Sequence, residues 1–312
     1  MLDQFPAVLR MMLNLRIRIN ILLQAIRLFL SVCLFRVSRL AQRQKNFFEG
    51  LLPEGFARKC VANWIHTSED DYLTILSVLG SECLGALRVS DNIHDSGDYK
   101  PLSIESVKAL AKEGVSKSTE LITEAHLSLT GASGKVGLYY DPERNMWYQP
   151  QGDAPSTHIV KQSHVRLSDI VTNEQLSLTA ASKLGISIPE SFIINTGAAR
   201  DDEILFATKR YDRVIPKNAA YINGLIRPFR LHQKDFAQAL GIPAYEKYEN
   251  GNKQYLLKAF QLLRNNVADP LTDQLKLWDM LIYDYLNCII GCIRWRMKRK
   301  RYMCLSRIRT LL

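Results

Sequence analysis

A turn of small residues followed by a lysine is the stretch of this sequence whose residue types point most directly to chemistry. The turn is made of Thr130, Gly131, Ala132, Ser133 and Gly134. Lys135 comes next and opens an apolar run that ends at Asp141. Consecutive backbone N–H groups in such a turn can bind phosphate, and a neighbouring lysine adds positive charge. A small-residue turn between strands is more often a simple β-hairpin, so the turn alone leaves both interpretations open.

Two residues downstream could complete a phosphate site. Lys161 ends the apolar strand THIVK, and Glu174 lies in the first turn of a helix predicted over residues 173–184. Two predicted strands follow, over residues 191–195 and 203–212. A kinase-like small lobe has this order, in which a glycine-rich loop covers the phosphates, a strand lysine contacts them and a helix glutamate orients the lysine. Lys161 could instead be an edge-strand lysine that discourages aggregation.

The elements around this region are predicted from hydrophobic periodicity. Before the turn, we expect helices over residues 46–65, with a break at 53–55, and over 69–79, then a polar loop over 90–102. After the strands, helices are predicted over residues 232–240, 253–265 and 275–290. The last helix carries an apolar stripe that we expect to face the core: Trp278, Leu281, Ile282, Tyr285, Leu286 and Ile289.

Composition and charge fit an ordinary globular chain. The sequence has 312 residues, 47% of them hydrophobic and 23% charged, which suffices for two lobes with a core. Its net charge of +10 comes from the ends, since residues 1–44 hold seven arginines and one aspartate and residues 292–312 hold eight basic residues and no acid. The middle is slightly acidic, so we expect no direct nucleic-acid binding by the body. The six cysteines form no CxxC pair, and no metal site is predicted.

Seven segments in order resemble the HipA toxins of bacterial type II toxin–antitoxin systems, which are serine/threonine protein kinases. The segments are NFFEGLLPEG, ILSVLGSECLGAL, LSLTGASGK, STHIVK, LGISIPES, FATKRYDR and RLHQKDFAQALGIPAYEKYE. Their order and spacing fit that family from about Asn46 to Gly291. The resemblance implies an α+β, kinase-like two-lobed fold of HipA type, with a strand-rich small lobe and a truncated, all-helical carboxy-terminal lobe.

The resemblance also implies roles for individual residues. It places ATP against the turn residues Gly131, Ala132, Ser133 and Gly134, the lysines Lys135 and Lys161, and the hinge residues Lys209, Arg210 and Tyr211. Adenine would be held there mainly by backbone groups. Glu174 would orient Lys161, and Ser128 would be the serine that these kinases autophosphorylate. The family usually has glutamine in place of Ser133 and glutamate in place of Lys209.

The resemblance ends at Gly291, where the family continues into a catalytic loop of the form Asn-Thr-Asp-x-His-x-Lys-Asn. The residues after Gly291 contain no Asp, Glu, Asn or His. ATP and Mg²⁺ are therefore implied as cofactors, but no catalytic residue and no Mg²⁺ ligand is found, and we expect an inactive kinase. Asp279 and Asp284 precede the expected loop on a helix, and we expect them to be surface or capping residues.

Five segments are predicted along the chain. They are a basic apolar non-family segment (1–44), a partial HipA amino-terminal subdomain (45–115), a kinase-like ATP-binding small lobe (116–230), the start of the helical carboxy-terminal lobe (231–291) and a basic non-family tail (292–312). The apolar run in the first segment is broken by Asn20, Gln24 and Arg27, so a membrane span is not expected. A frame change or wrong start is favoured there over a basic amphipathic membrane helix.

Three functions remain possible from the sequence. The first is a cytoplasmic HipA-like kinase toxin that has lost activity, whose family substrate would be a protein such as an aminoacyl-tRNA synthetase. The second is a non-enzymatic protein that binds a HipB-like helix-turn-helix antitoxin, the partner that the resemblance implies. The third is a membrane or nucleic-acid binder that acts through its two basic ends.

Overall fold

An antiparallel sheet of six strands forms the centre of the fold in the computed structural model. Its strands are β1 (Asp98–Pro101), β2 (Lys135–Asp141), β3 (Met146–Gln151), β4 (His158–Gln162), β5 (Ser191–Asn195) and β6 (Ile204–Lys209). Their order across the sheet is β1-β3-β2-β4-β6-β5, and every neighbouring pair is antiparallel. Strand β4 is buried along its whole length, and β6 is buried up to its last residue, so the centre of the sheet is shielded from solvent.

The structure describes most of the chain between residues 37 and 287. The described residues are 37–89, 96–113, 135–163, 169–197, 200, 203–247 and 253–287, together with the backbone at 290–291, 294–298, 302–305 and 310–311. Ser128 and the turn at 130–134 lie outside these ranges. Within them, no helix is both long enough and apolar enough to span a bilayer.

Eight α-helices lie in the described ranges. They are α1 (Val37–Glu49), α2 (Gly55–Trp64), α3 (Tyr72–Leu79), α4 (Ile104–Glu113), α5 (Ile170–Lys183), α6 (Phe236–Leu240), α7 (Tyr255–Asn266) and α8 (Pro270–Leu286), with a 3-10 turn at Ala244–Glu246. Short strands complete the chain: β7 (Arg213–Val214), β8 (Ala220–Ile222), β9 (Leu225–Arg227), β10 (Phe229–Arg230), β11 (Gln233–Asp235), β12 (Ile290–Gly291), β13 (Arg294–Lys298), β14 (Tyr302–Leu305) and β15 (Thr310–Leu311).

Two apolar clusters join the helices to the sheet and to one another. The larger joins the amino-terminal helices to the sheet, with Leu52, Leu76 and Leu110 packed in one cluster with Val160 and Leu205. The second joins α5 to α7 and α8 and contains the buried side chains Ala181, Leu263, Leu277, Met280 and Tyr283. Helix α5 also packs on the sheet through Val171 and Leu178. It is therefore the element that connects the sheet to the helical part of the chain.

The predicted elements around Glu174 are confirmed, with shifted boundaries. Helix α5 begins at Ile170, three residues before the predicted start, and Gly185 follows its end with a φ of +79°. A left-handed residue just after a helix is where glycine is favoured, so its role as the stop is confirmed. The strand predicted over residues 203–212 is shorter and ends at Lys209.

Two predictions about secondary structure are wrong. The loop predicted over residues 90–102 contains strand β1, which pairs with β3 at the edge of the sheet. Its polar residues and terminal Pro101 are typical of an edge strand. The helix predicted from residue 232 begins only at Phe236, because Asp235 and Gln238 form a capping box that sets its first turn.

The sequence pattern also predicted the wrong start and the wrong buried face for helix α8. It runs from Pro270, after the cap Asp269, rather than from residue 275. The predicted core-facing stripe is wrong, since its members Trp278, Ile282, Tyr285 and Leu286 are exposed, although Leu281 is partly buried. Its last member, Ile289, lies outside the described residues. The face that packs on α5 and α7 carries Leu277, Met280 and Tyr283 instead.

Candidate functional site

Lys161 and Glu174 form a buried ion pair between β4 and α5. The Lys161 Nζ atom contacts Glu174 Oε1, and both side chains are less than a tenth exposed. The ring of Phe206 on β6 lies beside the same lysine, with its centroid 5.2 Å from Nζ. Removing one member of such a pair leaves an uncompensated buried charge, so the pair holds β4 and α5 in a fixed relation. The structure thus brings together two residues that the sequence placed in one site.

Lys135 lies directly opposite Lys161 in the pairing of β2 with β4. Directly opposed residues of antiparallel strands project from the same face of the sheet, so the two lysine side chains are neighbours. Lys135 is 2% exposed, and its Nζ has no hydrogen-bond partner among the described residues. A buried amine without a partner costs free energy. An anion with several oxygens, such as a phosphate, would satisfy its donors.

The glycine turn is joined directly to this pair of lysines along the chain. Gly134 precedes Lys135, the first residue of β2. The predicted contacts of Gly131, Ala132, Ser133 and Gly134 fall outside the described residues, as does Ser128.

The predicted hinge residues have three different environments. Lys209 is exposed and its Nζ donates to Glu190 Oε2 at 2.8 Å. Arg210 donates its backbone N–H to Thr157 O at 2.8 Å, and its guanidinium is fully buried in a network of charged residues. Tyr211 is partly exposed. The Arg210 side chain therefore has a structural role that the sequence did not indicate, and adenine binding at the hinge stays a prediction.

The buried network is centred on Glu82, in the segment between α3 and β1. Glu82 accepts hydrogen bonds from Arg210 at 3.0 Å, from Arg213 at 2.7 Å and from Arg230 at 2.5 Å. Ser156 adds its backbone N–H and hydroxyl to the same carboxylate. Burial alone would raise the pKa of Glu82, but Arg213, Arg230 and Arg210 outweigh it and hold that pKa at about 2.

Asp212 links the same arginines to the turn after Glu82. It pairs with Arg210 at 2.8 Å and accepts the Gly85 N–H at 2.7 Å. Gly85 has a φ of +76°, a backbone conformation that favours glycine. Burial opposes ionisation of Asp212, but Arg210 and Arg213 hold its pKa far below the usual range. Sequence reasoning missed this network. One signal was present, because a glutamate inside the largely apolar segment SECLGALRV indicates a buried carboxylate that needs a charged partner.

Asp279 and Asp284 of α8 differ in environment. Asp279 is exposed, as expected, but the expectation of a surface or capping residue is wrong for Asp284, which is 5% exposed. Burial raises the pKa of Asp284 to about 7, and its Oδ1 has no hydrogen-bond partner among the described residues. The described part of the chain contains no group of three or more His, Cys, Asp or Glu side chains that could hold a metal ion.

Family comparisons divide the chain into two matched regions. Residues 127–289 match the HipA-like C-terminal domain, and residues 25–90 match the HipA N-terminal domain. The chain belongs to the HipA family. The C-terminal match contains the lysine pair, Glu174 and the hinge. The N-terminal match begins at residue 25, inside the segment that the sequence analysis treated as non-family.

Curated relatives and a solved structure agree with the HipA assignment. Y4mE of Sinorhizobium fredii, whose name assigns it provisionally to the kinases, is 29% identical over 257 residues, covering 79% of this chain and 57% of the relative. Y4dM of the same organism, similarly named, is 26% identical over 215 residues, covering 66% and 47%. The chain thus spans about half the length of the curated relatives it matches.

A chain from the structure of the Shewanella oneidensis MR-1 toxin–antitoxin system HipA, HipB and its operator DNA has the same fold. The two superpose with a TM-score of 0.64 at 19% sequence identity, over 86% of this chain and 63% of the other. This likeness confirms the predicted HipA-type fold, with its strand-rich sheet and kinase-like arrangement of helices.

Proposed function

We propose that this HipA-family chain is the nucleotide-binding part of a serine/threonine protein kinase toxin, with ATP bound where β2, β4 and α5 meet. One observation carries the proposal: Lys135, whose buried amine has no partner in the described structure, lies opposite Lys161, which is paired with Glu174. A strand lysine paired with a helix glutamate is the arrangement with which kinases hold nucleotide phosphates.

Each residue has a distinct part in the proposed site. Lys135 and Lys161 bind the phosphates, and Glu174 keeps the Lys161 ammonium in position. Backbone N–H groups of the turn at residues 131–134 add donors to the phosphate oxygens. The hinge at residues 209–211 takes the adenine through its remaining backbone groups. The Arg210 side chain is bound to Glu82 and Asp212, and the N–H groups of Lys209 and Arg210 are bound to the carbonyls of Glu190 and Thr157.

The residues that the structure describes do not fit a protein-held Mg²⁺. Mg²⁺ prefers carboxylate oxygens, and the described residues contain no group of three or more His, Cys, Asp or Glu side chains that could hold a metal ion. The sequence after Gly291, where the family has its catalytic loop, contains no carboxylate either. We therefore propose that ATP binds with little dependence on magnesium and that the chain transfers no phosphoryl group, so that Ser128, the serine of the proposed self-modification, stays unmodified.

A HipB-like antitoxin is the proposed partner, because the structural neighbour was solved with HipB and operator DNA. This supports a second candidate function, in which the chain binds the antitoxin without any enzymatic activity. The family's protein substrate, of the aminoacyl-tRNA synthetase kind, and a cytoplasmic location belong to the same proposal.

Calorimetric titration with ATP tests the proposed nucleotide site. The native chain should bind ATP with and without Mg²⁺ at similar affinity, and Lys161→Ala should abolish binding. Lys59→Ala is the control, because Lys59 is an exposed lysine on α2, outside the proposed site, and should leave binding unchanged. Binding that persists in Lys161→Ala would contradict the site, and strong dependence on Mg²⁺ would contradict the lack of metal ligands.

Phosphate on Ser128 in the native chain, absent from Lys161→Ala, would contradict the proposed inactivity.

A further inference from the structure

Helix α5 is held in place from two sides. Towards the sheet, Val171 and Leu178 pack in one cluster with Ile204 and Phe206 of β6. Towards the helical part of the chain, Ala181 packs with residues of α7 and α8. Glu174 lies on this helix one turn after Val171 and one turn before Leu178. The position of its carboxylate relative to Lys161 therefore depends on both packing surfaces.

One polar contact crosses from α8 to α5 close to Glu174. The Tyr283 hydroxyl donates to the backbone carbonyl of Ser177 at 2.5 Å. Ser177 is three residues after Glu174, so the two are neighbours on the helix surface. Tyr283 is 4% exposed, and burial, with a smaller effect of Asp284, raises the pKa of its hydroxyl. The hydroxyl is thus a protonated donor at neutral pH.

This contact differs from the apolar packing around it because it is directional. Apolar contacts between α5 and α8 tolerate small rotations and shifts of one helix against the other. A hydrogen bond with a fixed length and angle does not. Its loss would leave the apolar packing and the Lys161–Glu174 pair in place but would remove a directional restraint that α8 places on α5, so that the Glu174 carboxylate is positioned less exactly relative to the phosphates.

We propose that Tyr283 is a positioning residue for the nucleotide site, and that its hydroxyl sets α5, and with it Glu174, in the place that aligns Lys161 with the phosphates. The inference rests on the proposed nucleotide-binding function. Tyr283 belongs to the helical lobe and lies 106 positions from its acceptor Ser177 in the sequence. The inference thus adds a residue of the helical lobe to a site that is otherwise made by the small lobe.

Tyr283→Phe keeps the buried ring and removes only the donor. A single hydrogen bond corresponds to about a three- to tenfold change in an equilibrium constant, and we expect ATP affinity to fall by about this factor. Tyr285→Phe on the same helix is the matched control, because Tyr285 is 84% exposed, and should bind ATP as the native chain does. Thermal unfolding of both variants, without nucleotide, reports any general loss of stability.

A double-mutant cycle separates positioning from general stability. If Tyr283 acts through Glu174, adding Tyr283→Phe to Glu174→Gln should cause no further loss of ATP affinity. An equal loss in both backgrounds, or native affinity in Tyr283→Phe alone, would overturn the inference while Lys161→Ala still loses binding. A native chain that binds no ATP would overturn the proposed function as well, so the two failures are distinguishable.

Discussion

Glu82 shows at the scale of a single residue how this fold keeps a carboxylate ionised in its interior. Three arginines and Ser156 surround it, so the desolvation cost is offset by charge-assisted hydrogen bonds. Its contacts join the segment after α3 to the hinge, which ties the amino-terminal helices to the kinase-like sheet. The carboxylate therefore determines how two parts of the chain fit together.

Replacing Glu82 with Gln should lower the free energy of unfolding by about 3–5 kcal/mol at pH 7, because the arginines lose their counter-charge. The pKa of Glu82 is held at about 2 in the folded state, below its unfolded value, so its contribution is complete above about pH 4.5 and is lost as pH falls towards 2. Urea unfolding at pH 7 and pH 3 measures this. The difference in free energy of unfolding between the native chain and Glu82→Gln should be smaller at pH 3 than at pH 7. An equal difference at both pH values would contradict the ionic contribution of Glu82. Glu69→Gln, at a half-exposed glutamate, is the control.

Asp284 has the opposite pH dependence. Burial raises its pKa to about 7, so ionising it destabilises the folded state as pH rises from about 4 through 7. Asp284→Asn should therefore stabilise the chain by roughly 1–3 kcal/mol at pH 8 and have little effect at pH 4. Asp279→Asn, at an exposed position of the same helix, should change little at either pH. Destabilisation by Asp284→Asn at pH 8 would show that the carboxylate has a stabilising partner.

Helix α8 shows at the scale of an element how an apolar pattern can mislead. Its sequence has large apolar residues on two faces, since Leu277 and Met280 are buried while Trp278 and Ile282 are exposed. Periodicity detects that such a segment is helical but cannot choose between two apolar faces. The choice is made by packing against α5 and α7, which involves residues far away in the sequence.

A pair of leucines on α8 tests which face is buried. Leu277 is fully buried and Leu275 is 54% exposed. Leu277→Ala should lower the free energy of unfolding by about 2–5 kcal/mol, because it leaves a cavity. Leu275→Ala should stay within about 0.5 kcal/mol of the native value. Chemical denaturation of the two variants measures the contrast. Equal effects, or a larger effect at Leu275, would contradict the packing of this helix.

The sequence predicted much of the candidate site because its parts lie on regular, locally coded elements. Lys161 lies on β4 and Glu174 on the next helix, only 13 residues apart, so pattern and order were enough to pair them. The Glu82 network could not be predicted, since Glu82 and Arg210 are 128 residues apart and each looks like an ordinary charged residue. The same holds for Tyr283 and Ser177, which meet only after the lobes pack.

At the scale of the whole molecule, the amino-terminal helices contact both lobes. Besides the Glu82 network at the hinge, Asn46 on α1 donates to the Gly241 carbonyl at 2.9 Å, and Gln238 on α6 donates to the Phe47 carbonyl at 3.0 Å. Lys247 pairs with Glu54 at 2.5 Å in the same region. The amino-terminal part thus limits how far the lobes can move relative to each other.

The outer face of α8 leads us to expect self-association of the isolated chain. Trp278, Ile282, Tyr285 and Leu286 are all about half exposed or more, and exposed apolar surface on this scale favours association. Light scattering after size-exclusion chromatography should show oligomers or aggregates whose size grows with concentration. The double variant Ile282→Lys, Tyr285→Lys should reduce them without lowering the melting temperature, because both side chains are more than half exposed. A monodisperse native monomer with one cooperative melt would contradict this expectation.

Thermal unfolding of Lys135→Met, with and without ATP, tests the nucleotide site most directly. Met has a similar length but no donor, so removing a buried amine that has no partner among the described residues should raise the melting temperature without ATP by about 2–5 °C. ATP should raise the melting temperature of the native chain, because a ligand that binds only the folded state stabilises it, and this rise should be lost in the variant. Greater stability together with loss of the ATP effect is the result we predict. A less stable variant, or one that ATP still stabilises as much as the native chain, would contradict a phosphate site at Lys135.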